Sequence, residues 1–390
     1  MTAVSDLQTP ASSPTAGAAT SDAPSTATAA SNASSAQAAG GRTFLPRNTL
    51  LRHLLVLVLC AVGAVVLLET TDLGFNAQVG YVAFYAIAAG GLTVLTGLNG
   101  QISLGHGALM AVGAYTTALL LDAEEPLPLV VVFLAAVALT SLVGAIVGVA
   151  AARLHGPYLA GATLALAVGL PGLALYYRSF LGGEQGLTVS SPDRPEWFTD
   201  VIRSLSGGSP SGVKWIAYIS VACLLITYFL LANLMRSRVG RTWRAVRDQE
   251  VAAELAGIDL GRWRVLAFVV SAAAAGLAGA VLALVVRLTA PTGFTIVLSL
   301  SLLTAIVIGG LGSLLGALIG AALLVFLPRV LRDAGESLDM DAAQAAEISY
   351  VVYGVILVLV MLFAPAGLVG SIRLAWMKQR ARRAAGGTTR

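Results

Sequence analysis

Two stretches of this 390-residue chain gather side chains able to do more than pack. In the first, Gly97-Leu98-Asn99-Gly100-Gln101-Ile102-Ser103-Leu104-Gly105-His106-Gly107, four polar residues sit between glycines inside otherwise apolar sequence. Asn99, Gln101, Ser103 and His106 can donate and accept hydrogen bonds without carrying a fixed charge. Glycine lets the backbone leave a helix, and irregular backbone at membrane depth is tolerated only where protein or a water-filled cavity satisfies it. The segment reads either as a turn lining a solute pathway or as a polar helix cap near the membrane surface, which would also use Asn and Ser. His106 reads as a packing histidine or as a substrate ligand. Pro171, flanked by Gly169 and Gly172, could break a helix at a substrate site or simply kink it.

The second stretch, residues 236–264, carries Arg236, Arg238, Arg241, Arg244, Arg247, Arg262 and Arg264. Within it, Asp248 can cap a short helix over about residues 249–256. Gly257 can end that helix in a left-handed turn. Val251 and Leu255 lie one turn apart on an apolar face, as do Ala252 and Ala256, and Glu250 and Glu254 form a neighbouring acidic face. Such a helix suits a groove on another protein. The other reading is a helix resting on anionic headgroups, which the arginines favour and the glutamates oppose. Arg247, Asp248, Glu250, Val251, Glu254, Leu255 and Gly257 are the candidate coupling residues.

The elements that must hold these stretches are membrane helices. The chain is 57% hydrophobic and 11% charged, with a mean hydropathy of +0.83, whereas a soluble domain carries about 25% charged residues. A span needs roughly 20 apolar residues. Candidate spans fall at about 51–68, 78–96, 102–121, 127–152, 158–177, 214–234, 265–286, 294–308, 314–331 and 348–369. The fold class is an all-α polytopic transmembrane bundle of 8–10 spans with possible broken or re-entrant helices. With ten spans and both termini in the cytoplasm, the arginine clusters before the first span, after the fourth, in 236–264 and after the last share one side, as the positive-inside rule asks. Gly144 and Gly148, and Gly312, Gly316 and Gly320, recur every four residues and read as close-packing helix faces. Cys60 and Cys223 read as small buried hydrophobes rather than a disulfide or metal pair.

Residues 1–41 are rich in Ala, Ser and Thr and read as a disordered cytoplasmic tail without a secretion signal. Residues 42–372 form the membrane domain, and 373–390 form a basic tail suited to anionic headgroups. The spans hold almost no ionisable group apart from His106, which argues against an ion-coupled transporter. No phosphate-binding loop of the G-x-x-x-x-G-K-[ST] type is present, so the chain is not expected to hydrolyse ATP. No enzyme activity, cofactor, metal or nucleic-acid partner is expected; the lipid bilayer is.

Five blocks resemble the branched-chain amino acid permease family of bacterial ATP-binding cassette importers, in its LivM-type subunit. The first runs from Thr96 to Gly107 and on to Gly113-Ala114-Tyr115. The second is Gly156-Pro157-Tyr158-Leu159-Ala160 with Thr163-Leu164-Ala165, Gly182-Gly183 and Gly186-Leu187. The third begins at Gly240-Arg241, includes Arg244-Ala245-Val246-Arg247-Asp248, Glu250, Ala253 and Gly257-Ile258, and closes on Ala275-Gly276-Leu277-Ala278-Gly279. The fourth is Ile308-Gly309-Gly310-Leu311-Gly312-Ser313 with Gly316 and Gly320. The fifth is Tyr353-Gly354, Ala364-Pro365 and Gly367-Leu368. The resemblance implies a bacterial cell-membrane permease moving branched-chain or other hydrophobic amino acids. It implies a sister permease subunit, most often a different chain, two cytoplasmic ATP-binding subunits and an extracytoplasmic substrate-binding protein. It also implies that the third block is the helix that touches the ATPase. Gly316-Ala317 departs from a frequent Gly-Pro, and Leu181 from a frequent Thr. A urea or short-amide importer, an ion-coupled transporter and a non-transporting scaffold remain as alternatives.

Overall fold

The computed structural model describes residues 49–123, 127–154, 157–206, 211–338, 340–363, 367–372, 376, 377 and 379. The tail expected over 1–41 lies outside the described residues, as does most of 373–390.

The chain is a bundle of helices in sequence order. Helix α1 (Thr49–Thr70) leads into α2 (Leu73–Leu92), whose last turn widens into a π-helical segment over Thr93–Leu98. Asp72 starts α2 by accepting from the backbone N–H of Gly74 at 3.0 Å and Phe75 at 3.4 Å, which satisfies donors that a helix start leaves open. Next come α3 (His106–Leu121), α4 (Leu129–Ala152), α5 (Pro157–Tyr176) and a single turn, α6 (Arg178–Leu181). A strand β1 (Leu187–Thr188) precedes α7 (Glu196–Ser206) and the long α8 (Gly212–Arg236). Two short helices follow, α9 (Arg238–Asp248) and α10 (Glu250–Leu255), then α11 (Leu260–Val286). Strand β2 (Leu288–Thr289) pairs antiparallel with β1. The chain continues with α12 (Ile296–Gly309), α13 (Leu314–Glu336) and α14 (Ala342–Phe363).

Among the described residues, nine helical segments are long and apolar enough to cross a membrane. Helix α3 is the tenth apolar helix and has only 16 residues, about 24 Å at 1.5 Å per residue, short of the roughly 30 Å hydrocarbon layer. The span expected from 102 therefore starts at His106. Residues 99–105, which carry most of the polar side chains, form an irregular connection between α2 and α3. This is a broken-helix arrangement.

Helices α2, α3 and α11 form the centre. Phe84, Ile87, Leu92, Leu109, Met110, Phe268 and Leu284 are buried there. Small residues let the backbones touch. A Cβ on Gly113 would collide with the backbone of Gly276, and one on Gly279 with the carbonyl of Met110. In lipid no hydrophobic force drives helices together, so such close contact supplies the packing energy. Helix α4 packs on α11 through Ala136, Thr140, Gly144 and Gly148, all buried. A Cβ on Gly148 would lie 2.9 Å from Cβ of Phe268, and one on Gly144 would overlap Ala272.

Three expectations change here. Gly312 does not share a helix face with Gly316 and Gly320; it lies in the turn before α13, with φ +78°. Gly316 and Gly320 do pack tightly, against Gly309 and Ala305 of α12. Pro171 does not break its helix, because α5 runs through it from Pro157 to Tyr176. Cys223 is buried, but Cys60 is exposed on the outer side of α1, where lipid serves an apolar thiol as well as a core does.

Candidate coupling and pathway site

The turn after α2 is built by backbone hydrogen bonds longer than α-helical ones. The N–H of Asn99 donates to Val94 at 3.2 Å and that of Gln101 to Leu95 at 3.1 Å. The Thr96 hydroxyl donates to the Gln101 carbonyl at 3.0 Å. Gly100 turns the chain with φ +79°, a left-handed conformation that a side chain would strain. The restart at α3 is held from outside. The Leu104 N–H donates to the Thr163 hydroxyl of α5 at 3.0 Å, and the Gly107 N–H to the Ser299 hydroxyl of α12 at 2.9 Å.

The polar side chains of this turn point inward. Asn99 is 4% exposed, Gln101 5% and His106 0%, while Gly100 and Ile102 between them are exposed. Gln101 Nε2 donates to Asn99 Oδ1 and, at 3.5 Å, to the carbonyl of Arg264. His106 Nε2 donates to the Ala88 carbonyl at 3.0 Å. That bond fixes the tautomer and leaves Nδ1 facing away. Asn99 Nδ2, Gln101 Oε1 and His106 Nδ1 are buried without a hydrogen-bond partner. Each such group costs about 1–3 kcal/mol, and three within eight residues mark a place where packing gives way to another requirement. Ser103 is also buried, with its hydroxyl accepting from Gly105 N–H at 3.4 Å. Pro171 stands apart. It lies eight residues along α5 from Thr163, about 12 Å at helical rise, and does not join this group.

The second stretch is two helices rather than one. Gly240, Trp243 and Val246 form a buried stripe on α9, an every-third-residue spacing that was readable but masked by the arginines around it. Asp248 is consequently the last residue of α9, not the cap of the next helix. Gln249 takes the N-cap position without a side-chain bond, and Asp248 instead receives Arg247 Nη2 at 2.7 Å. The expected stop does form. Gly257 has φ +81°, its N–H donates to Glu254 at 2.9 Å, and that of Ile258 to Ala253 at 3.0 Å. These two bonds make a Schellman cap.

Helix α10 turns Ala253 inward and its other apolar residues outward. Val251 is 72% exposed and Leu255 85%; Ala252, Glu254 and Ala256 are exposed as well. Beneath this surface the loop is bolted to the turn. Arg247 Nη1 donates to the carbonyl of Gly97. Its aliphatic stem lies so close to Gly100 that a Cβ there would sit 2.9 Å from Arg247 Cγ. Glu250 pairs with the buried Arg264 at 2.6 Å, whose carbonyl receives Gln101. Trp243 Nε1 donates to the Trp263 carbonyl at 2.9 Å. The structure thus joins Asn99 and Gln101 to Arg247 and Glu250, while Val251, Glu254 and Leu255 face out. Contacts between positions 150 and 163 residues apart left no trace in local sequence pattern. Among the described residues, no three His, Cys, Asp or Glu side chains converge as a metal site would.

Residues 75–361 match the family described as branched-chain amino acid transport system / permease component. The chain is 31% identical over 309 residues to the high-affinity branched-chain amino acid transport system permease protein LivM of Salmonella typhimurium, covering 74% of this chain and 68% of that protein. The LivM protein of Escherichia coli K12 matches at the same identity and coverage. The permease protein BraD of Pseudomonas aeruginosa is 26% identical over 300 residues, 73% of this chain and 91% of that protein. No solved structure matches. With a buried, glycine-hinged turn tied to an outward-facing helix, and a match across most of its length, the chain belongs to the branched-chain amino acid transport permease family.

Proposed function

We propose that this chain is one membrane half of an ATP-driven importer that passes branched-chain or other hydrophobic amino acids through the bilayer by alternating access. The observation that carries the reading is the linkage just described. An exposed apolar helix end at Val251 and Leu255 is fixed through Arg247 and the Glu250–Arg264 pair to the turn at Gly97–Gln101. A cytoplasmic ATP-binding subunit that grips α10 would move this turn with it, as a rigid-body transition requires. Asn99, Gln101 and His106 then find hydrogen-bond partners in the opened pathway. An apolar side chain needs no buried charge to pass, and its charged ends suit backbone dipoles at broken helix ends.

A sister permease subunit fits the outward face of α5. Gly161, Ala162, Ala165, Gly169 and Gly172 are exposed there, and a Cβ on any of the three glycines would meet nothing within 4 Å. By the positive-inside rule the arginines of 236–264 favour a cytoplasmic α9 and α10, and a ten-span count would bring both termini to the same side. An extracytoplasmic substrate-binding protein would deliver the solute to the outer face.

The test is Leu255→Asp in the reconstituted transporter. Folding and membrane insertion are expected to survive, because Leu255 is exposed. Binding of the ATP-binding subunits and ATP-dependent leucine uptake are expected to fall at least tenfold, as for a truncated interface anchor. Normal coupled uptake would remove α10 from the mechanism. Uptake of leucine that urea competes away would transfer the substrate to the urea and short-amide class.

A further inference from the structure

A cavity of about 540 Å³ opens beside the coupling helices, lined on one side by Arg236, Arg244 and Arg247. It lies where α8 ends, α1 begins and α13 begins, which is the level of a membrane surface. We propose that this cavity seats the phosphate of an anionic phospholipid, with its acyl chains running along the adjoining apolar wall.

Charge comes first. Among the described residues neither Arg236 nor Arg244 pairs with a carboxylate, and Asp248 offsets only Arg247. Arg244 is held in place by donating from Nε to the Gly240 carbonyl at 3.0 Å and from Nη2 to the Met235 carbonyl at 2.7 Å. Its remaining N–H groups are left for a ligand. Among the described residues no acidic side chain lines the cavity. The lining also includes Leu311 to Leu315, the turn and first residues of α13, with Ser313 at the N-cap. The start of a helix presents N–H groups and partial positive charge, which adds to the guanidinium groups.

The rest of the lining decides between ligands. Leu98, Ala232, Met235, Leu314 and Leu315 are apolar, and Leu315 at the rim is 66% exposed. Inorganic phosphate would satisfy the arginines and leave that wall bare. A phospholipid satisfies both, and basic pockets between helix ends at the membrane surface are suited to such headgroups. The proposal does not depend on which solute is carried.

The experiment uses the purified transporter in detergent, titrated with phosphatidylglycerol, phosphatidylcholine or inorganic phosphate, and read by native mass spectrometry and thermal shift. Phosphatidylglycerol is expected to bind saturably and at least tenfold more tightly than phosphatidylcholine. Arg236→Gln is expected to weaken it about tenfold, the loss of one charged hydrogen bond. Arg262→Gln is the control. Arg262 is 87% exposed, pairs with Asp259 and lies outside the cavity, so its loss is expected to change binding by less than about twofold once salt screens it. Equal effects of the two variants would overturn the site, as would equal affinity for the two lipids. Inorganic phosphate binding as tightly as phosphatidylglycerol would make it a free-anion site and overturn the lipid. Loss of lipid when the ATP-binding subunits are present would give the cavity to them instead.

Discussion

Helices α4 and α5 are neighbours in sequence and both leave one side uncovered, yet they are built inside out relative to each other. Helix α4 turns its small residues inward at Ala136, Gly144, Gly148 and Ala151 and shows Val130, Leu134, Leu142 and Ile146 outward. Helix α5 buries Leu159, Thr163 and Ala167 and shows Gly161, Ala165, Gly169 and Gly172, with Val168 and Leu173 exposed among them. The outward face of α4 matches hydrocarbon. That of α5 interrupts its large residues with a strip of glycine and alanine, against which another backbone can lie closely. Exposure in a single chain therefore has two meanings, and residue size separates them.

The sharpest way to break this comparison is Gly144→Leu in α4. Its Cβ overlaps Ala272, and neither helix backbone can retreat. The expected loss is about 3 kcal/mol or more, seen as a collapsed yield of monodisperse protein in fluorescence-detected size exclusion. Gly169→Leu in α5 is expected to behave oppositely. The isolated chain should be as stable as before or gain about 0.5–1 kcal/mol from helix propensity, while co-purification of the sister permease drops severalfold. If both variants unfold the chain, the two faces are not different. The smallest effect belongs to Leu142→Ala on the outer side of α4, 59% exposed. Stability and uptake are expected to stay within about 0.5 kcal/mol of the parent, measured by thermal shift and transport assay.

Much of the helix bundle was legible because span length and apolar composition are local properties. So was helix α10, whose stop at Gly257 follows from one residue's backbone freedom. Asp248 was misplaced because a cap can be read from sequence only if the preceding residues are not helical, and Trp243 and Val246 had already made them so. Gly312 followed the spacing of Gly316 and Gly320, but Gly310 and Gly312, both at positive φ, stop the helix before that spacing takes effect. The union of the polar turn with the arginine loop was out of reach. Arg247 meets Gly97 across most of the bundle, and nothing near either residue announces the other.

Glu69 and Lys214 stand 145 residues apart in the sequence. They meet at 2.5 Å, largely buried, and the Tyr218 hydroxyl donates to the same carboxylate at 2.7 Å. This clamp ties α1 to α8, and it has a consequence for biogenesis. Glu69 leaves the ribosome 145 residues before Lys214, roughly 7 to 30 s at ordinary synthesis rates. Through that interval α1 has its carboxylate but not its partner, so the end of α1 stays at the water-facing edge of the bilayer. The clamp, and with it the seating of α1 against α8, therefore waits on the synthesis of α8.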